Sequence, residues 1–253
     1  MRFIAIAYLV ITGHLACCQI NVPQEEKRSL RLKERNNAVN KPNTFLNAIK
    51  IPGVLIGMGV YYCLSDDVIS RYEVREQRNE HLPNFHTSVD NYLMHAPIAI
   101  VYGLNIAGVK GKNDFKNRTL LLAKSEAIMF VLSYSIKGLT NVRRPDGSDV
   151  ESFPSGHTAQ AFATATFMAK EYGDQSIWYT VGAYGMASTV GAMRILNNRH
   201  WVSDVLAGAG IGILSTNLAY LTHRYRWKKT PSQLTVVPSY ASGPSLYLSY
   251  KFK

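Results

Sequence analysis

Six apolar stretches of helical length, rich in Ala, Gly and Leu, limit what this chain can fold into: Ile51–Leu64, Tyr92–Val109, Leu120–Ile136, Thr158–Lys170, Ile177–Met193 and Val205–Thr222. They show little of the period-2 alternation that half-buried strands need, so each reads as a helix. The expectation is an all-α bundle of about six helices. At 253 residues there is enough chain for one domain with a full core, and hence for one site. With 47% hydrophobic and 18% charged residues, the chain is apolar for a soluble enzyme. Its mean hydropathy of −0.07 is too polar for a protein that is mostly bilayer-spanning helix. A membrane-embedded or membrane-associated bundle fits both facts, and a soluble bundle attached peripherally stays open.

The flanks differ from this rhythm. Residues 1–18 (MRFIAIAYLVITGHLACC) carry an early Arg, an apolar run and small residues before Gln19, the layout of a signal peptide. An uncleaved anchoring helix is the alternative, although the run is shorter than the ~20 residues of a bilayer crossing. A lipoprotein reading of Leu15-Ala16-Cys17-Cys18 would place Cys before the modified Cys, which is unusual. Residues 19–44 are charged and broken by Pro23 and Pro42, so they read as a flexible segment before a helical domain at 45–229. Between Ser65 and Asn91 the chain is polar, a loop or a short surface helix. In the tail, 230–253, Leu246, Leu248, Tyr250 and Phe252 alternate with polar residues after Gly243-Pro244, and a short C-terminal β-hairpin is expected. Of the three cysteines only Cys63 lies in the body of the chain. It offers no disulfide framework and reads as a small buried hydrophobe.

A formal charge of +11 calls for an anionic partner. Zinc-finger spacing, an RNP-type aromatic pattern and a basic heptad region are all missing, which sets nucleic acid aside. Phosphate remains, carried by a soluble ester or by a lipid at a membrane. Three clusters point the same way, each at the end of an apolar stretch: Lys137 with Arg144-Pro145, then Pro154-Ser155-Gly156-His157, then Arg194 with His200 and Asp204.

Hydrolysing a phosphomonoester without a metal or cofactor takes donors around three equatorial oxygens, an in-line nucleophile and an acid for the leaving oxygen. Lys137, Arg144 and Arg194 supply cationic donors, the arginines as planar forks. Ser155 and Gly156 precede a helix whose first N–H groups and dipole favour an anion. His200 and Asp204 are four apart, so on a helix starting near His200 the carboxylate would accept from one ring nitrogen and leave the other to attack. His157 would protonate the leaving alkoxide and later activate water. Taken singly, each piece has a plainer explanation: a solvated cation at a helix end, a surface histidine, an ordinary i,i+4 pair. Their joint occurrence in this order favours the chemical one.

The order Lys-x6-Arg-Pro, Pro-Ser-Gly-His, Arg-x5-His-x3-Asp resembles the three-part signature of the type 2 phosphatidic acid phosphatase family, which also contains bacterial acid phosphatases and vanadium haloperoxidases. The motifs span Lys137 to Asp204, and the helical rhythm extends the likeness from about Tyr92 to Thr222. The resemblance implies that Lys137, Arg144, Ser155, Gly156 and Arg194 bind phosphate, His200 is the nucleophile, Asp204 orients it and His157 is the general acid. Two departures stand out: Met193 precedes Arg194 where Ser is frequent, and Asp146, a negative charge at the rim, follows Pro145. Asn197, Asn198 and Arg199 are further rim donors or plain loop polarity.

The expected activity is dephosphorylation of an envelope lipid, such as a lipid A phosphate, undecaprenyl diphosphate or phosphatidate, through a phosphohistidine. A soluble periplasmic acid phosphatase and a non-catalytic phospholipid-binding envelope protein are the competing readings. Basic residues at 110–118 and 223–229 lie at the ends of the helices opposite the motifs, which by the positive-inside rule places the site on the periplasmic face of the inner membrane. Counting 51–64 and 92–109 as crossings after an exported start would reverse that orientation, so one of them is expected to lie in the interface or the bundle.

Overall fold

A computed structural model describes residues 44–65, 71–223, 234–239 and 245–250. The signal peptide expected over 1–18 and the charged segment expected over 19–44 lie outside the described residues, apart from Thr44, which opens the first helix. Among the described residues there are eight α-helices rather than about six: α1 (Thr44–Leu64), α2 (Arg71–His81), α3 (Val89–Leu93), α4 (Ala96–Ile106), α5 (Phe115–Thr140), α6 (Gly156–Tyr172), α7 (Ile177–Leu196) and α8 (Val202–Leu221). The tail has strands β1 (Leu234–Ser239) and β2 (Ser245–Tyr250), paired antiparallel with Leu234 opposite Tyr250.

Both added helices have physical reasons. The stretch taken as one helix from Tyr92 to Val109 breaks into α3 and α4 because Pro97 falls in the first turn of α4. Proline fits a helix start and disfavours helical geometry in the residue before it. Helix α2 buries no residue and has only Tyr72 and Val74 as apolar residues to announce it. It is tied down at its end instead, where Arg78 donates from Nε to the Leu196 carbonyl (2.8 Å) and from Nη2 to the Phe85 carbonyl (3.0 Å).

Helix α6 is the axis of the bundle. It packs against α4, α5, α7 and α8, and it is buried on nearly every face by small residues, among them Ala159, Ala161, Ala163 and Ala165. Small residues on α8 complete the fit. A Cβ on Gly212 would stand 2.3 Å from the Ala159 carbonyl oxygen, and one on Gly208 would stand 2.6 Å from the Ser155 oxygen. Only glycine permits this approach, and it holds the start of α8 beside the start of α6, where the second and third motifs lie. At the far end of α6, Glu171 is buried and takes Arg118 Nε at 3.1 Å and the Tyr220 hydroxyl at 2.6 Å.

Three helices, α1, α5 and α8, are long and apolar enough to cross a membrane. Helices α1 and α5 carry exposed apolar side chains, including Ile51, Val54, Phe130, Val131 and Leu139, whereas α8 is mostly covered by its neighbours. Such faces suit lipid better than water.

Within α1, Pro52 has no N–H to give the carbonyl of Ala48, its i−4 neighbour. Asn217 of α8 supplies the missing donor through Nδ2 at 2.7 Å. Asn217→Ala should therefore destabilise the protein by about 1–3 kcal/mol, the cost of an orphaned polar group. In a Pro52→Ala background the helix regains its own N–H, and the same substitution should cost much less. Denaturation of the four proteins in detergent reads this coupling, and equal costs in both backgrounds would contradict it.

Candidate active site

The second and third motifs meet at the buried carboxylate of Asp204. Its Oδ2 accepts from the Trp201 backbone N–H at 2.9 Å, from the Ser152 hydroxyl and from His200 Nδ1 at 3.3 Å. Its Oδ1 accepts from the Ser203 hydroxyl at 3.3 Å, and its backbone carbonyl accepts from Ser155 N–H at 3.0 Å. The pairing of His200 with Asp204 does not use a helical turn as expected. Helix α8 starts at Val202 with Trp201 as its N-cap, and the carboxylate folds back over that cap to reach the imidazole. Because Nδ1 faces Asp204, Nε2 is the nitrogen left for chemistry.

His200 is buried, at 3% exposure, and this burial pushes its pKa down to about 4 against the opposing pull of the Asp204 hydrogen bond. His157, half-buried in the first turn of α6, is also lowered to about 4, first by desolvation and then by the Arg194 charge. Arg144 and Arg194 act electrostatically on both imidazoles, and Arg144 and Asp204 act on Lys137. The three motifs are thus gathered at one end of the bundle.

Ser155 caps α6 through its hydroxyl, which accepts from Thr158 N–H. Gly156 and His157 are next, and their N–H groups belong to the first turn, which has no intrahelical acceptors. A Cβ on Gly156 would meet nothing within 4 Å, so the helix start is open for an approaching group.

The cations are more engaged than a bare phosphate clamp would be. Arg194 pairs through Nη1 with buried Asp90 at 2.6 Å, while its Nε is buried and makes no hydrogen bond. A buried donor left unmade costs about 1–3 kcal/mol, which an oxyanion at that edge would relieve. Arg144 lies 3.7 Å from the Asp149 carboxylate, and Lys137 donates to the Glu151 carbonyl. The full charge of three cations is therefore partly neutralised. At the rim, Asp146 is not a free negative charge, since it pairs with Arg199 at 3.0 Å. Asn197 is a buried structural residue that both donates to and accepts from the Thr87 backbone at 2.9 Å, and the Asn198 carbonyl accepts from Asp146 N–H. Cys63, read as buried, is only partly so and lines a cavity beside Arg71 and Trp201.

Three supporting residues were missed by sequence reasoning. Asp90 holds Arg194, Ser152 braces Asp204, and Asn91 accepts from His157 Nε2–H at 2.8 Å. The signal for the first and last was the polar pair Asp90-Asn91 ahead of an apolar run, though no spacing rule links it to partners 104 and 66 residues away.

Residues 119–228 match the family model of the PAP2 superfamily. A lipid A 1-phosphatase from Porphyromonas gingivalis is 42% identical over 148 residues, which cover 58% of this chain and 33% of that protein. The match thus spans a third of the relative's length. Among solved structures, Aquifex aeolicus LpxE is 23% identical with a TM-score of 0.46, covering 62% of this chain and 98% of that one. A transmembrane PAP2 type phosphatidylglycerolphosphate phosphatase from Bacillus subtilis is 22% identical with a TM-score of 0.49, covering 70% and 99%.

Both imidazoles of the site are held below the ordinary histidine value of 6.5, so the unfolded chain binds more protons than the native one between pH 6.5 and 4. Stability should fall as pH drops through that window. An oxyanion bound between the imidazoles favours their charged forms. Histidine NMR titrations should place both near pH 4 in the free protein and shift them upward when orthovanadate is added. Unperturbed titration near 6.5, with no response to vanadate, would contradict this arrangement.

Proposed function

We propose that this protein is a lipid phosphatase that removes a phosphate from an envelope lipid through a phosphohistidine on His200. The observation that carries the reading is the His200–Asp204 pair, with Nε2 left for chemistry, set among Arg144, Arg194 and the first turn of α6. Each group then has a chemical task.

Phosphate oxygens take the guanidinium donors of Arg144 and Arg194, the Lys137 ammonium and the first-turn N–H groups of Gly156 and His157, since Ser155 N–H is spent on the Asp204 carbonyl. The neutral His200 Nε2 attacks phosphorus in line, forming the P–N bond as the ester P–O bond breaks. His157 gives its proton to the departing alkoxide from Nδ1, since Asn91 holds Nε2–H. The dianionic phosphate brings the negative charge that lets His157 carry that proton despite its low pKa in the free protein. In the second half, His157 takes a proton from water, the oxygen attacks phosphorus, the P–N bond breaks and inorganic phosphate leaves. His200 regains its starting form, with Asp204 having balanced the charge on the ring throughout.

A lipid rather than a soluble ester is supported by the surroundings. An apolar groove of about 210 Å³ with Met94, Met129, Phe130 and Tyr134 along it ends at Lys137 and His157, while His157 also borders a polar cavity of about 240 Å³ containing Asp90 and Arg194. The apolar side suits the alkyl part of a leaving group and the polar side suits its phosphate. The relative named for lipid A favours a lipid A-type phosphate, with undecaprenyl diphosphate and phosphatidate as further candidates. The basic residues 110–118 lie at the end of the bundle away from the motifs. Of these Arg118 is buried on Glu171, which leaves Lys110, Lys112 and Lys116 to orient that end toward the cytoplasm and the site toward the periplasm.

Phosphate release from lipid A, undecaprenyl diphosphate, phosphatidate and an aryl phosphate should be fastest for a lipid, and His200→Ala should abolish it. Faster turnover of the aryl phosphate would favour a soluble-type acid phosphatase, and unchanged turnover in His200→Ala would sink the mechanism. Asn91→Ala should slow kcat by about tenfold to a hundredfold, the scale of a misplaced general acid, with little change in KM. An equal loss in both parameters, or none, would count against that role for Asn91.

A further inference from the structure

Two consecutive residues of α3 serve the site. Asn91 accepts from His157 Nε2–H at 2.8 Å, and Asp90 Oδ2 accepts from Arg194 Nη1 at 2.6 Å. All four side chains border the polar cavity of about 240 Å³. Asp90 is 1% exposed, yet only one of its carboxylate oxygens is engaged. Its Oδ1 is shielded from solvent and takes no hydrogen bond among the described residues. A buried acceptor in that state is costly unless something that enters the site donates to it.

The substrate phosphate is not that donor. Its anionic oxygens suit the donors on the same wall, among them the unengaged Nε of Arg194, and are repelled by a carboxylate oxygen. An acceptor set among donors fits a neutral group with an O–H to give. The second half of the reaction brings such a group, the water that attacks the phosphohistidine. To present a lone pair to phosphorus, this water must direct both of its O–H bonds elsewhere, and each needs an acceptor. His157 Nδ1 is one of them, as the base. Asp90 lines the same cavity and lies near enough to His157 to act on it electrostatically.

We infer that Asp90 Oδ1 orients the hydrolytic water by accepting its second O–H. The inference rests on the phosphohistidine reading of the site and gives Asp90 a task beyond holding Arg194. As the water oxygen bonds to phosphorus, its first proton passes to His157 Nδ1. The P–N bond breaks and its electron pair returns to His200 Nε2. The second proton stays on the new P–OH, still directed at Asp90, which is never protonated. Formation of the phosphohistidine involves no water and does not use Oδ1.

The test follows wild type and Asp90→Asn, as full chains in detergent, on the lipid phosphate that wild type turns over fastest, with and without methanol. In Asp90→Asn the amide oxygen stays on Arg194 and the NH2 group takes the place of Oδ1, turning the acceptor into a donor at unchanged size. Dephosphorylation should slow, lowering kcat by about tenfold to a hundredfold while KM falls in step and kcat/KM stays within about threefold. Phosphohistidine should accumulate during turnover. Methanol has a single O–H, which His157 satisfies alone, so the ratio of methyl phosphate to inorganic phosphate should rise by about fivefold or more in the variant. That ratio counts only protein that turns over, so a partly folded variant still answers. Asp90→Ala should show the same rise, and added formate, which returns an acceptor oxygen, should reverse it. A loss in kcat/KM equal to that in kcat, with the product ratio unchanged, would mean that Asp90 serves only Arg194 or a substrate hydroxyl. The inference then fails and the phosphohistidine reading stands. If wild type itself yields neither methyl phosphate nor a phosphorylated His200, both fall together.

Discussion

The buried carboxylate of Asp204 is the point on which this end of the bundle depends. It is fully shielded from solvent and takes hydrogen bonds from the Trp201 backbone, Ser152, Ser203 and His200, while its own carbonyl accepts from Ser155 N–H. A buried charge without such partners would be too costly to keep. With them it fixes three things at once: the start of α8, the ring orientation of His200 and the position of the α6 N-terminus. The close approach at Gly208 and Gly212 makes that junction possible, since a side chain at either would force α8 away from α6.

A second pattern runs through the structure, in which charged and polar groups are paired before any substrate arrives. Asp90 holds Arg194, Asp149 approaches Arg144, Arg199 holds Asp146, and Glu171 buries Arg118 at the other end of α6. The net charge of +11 therefore overstates the free positive potential at the site. What remains uncompensated is local: the buried Nε of Arg194 and the first turn of α6. These are the places where an anion gains most. The same economy appears within the apolar helices, where Asn217 answers the carbonyl that Pro52 leaves open.

Much of this was legible in the chain itself. The apolar stretches over Leu120–Ile136, Thr158–Lys170, Ile177–Met193 and Val205–Thr222 correspond to α5 to α8, the helices that carry the three motifs. Helix α2 was ambiguous because it buries nothing, and hydrophobic periodicity is silent for a helix held by side-chain-to-backbone bonds. The α3–α4 break was carried by Pro97 inside an otherwise continuous apolar run. At the site, Asn91 and Asp90 escaped notice because their partners are remote in sequence and come together only once α3 packs against α6 and α7. Ser152 sits in a loop between motifs, where a serine draws no attention until Asp204 folds back over the helix cap. The spacing of His200 and Asp204 was read as one helical turn, and the contact exists for a different local reason.

The central chemical claim is that His200 Nε2 becomes covalently phosphorylated. Rapid acid-free quenching of the protein with a labelled lipid phosphate, followed by peptide mass spectrometry, tests it most directly. A phosphoryl group on His200, labile to acid and stable to base, formed within one turnover and absent from the Asp204→Asn protein's early time points, is the predicted result. Full turnover with no label on His200, or label on another residue, would contradict it.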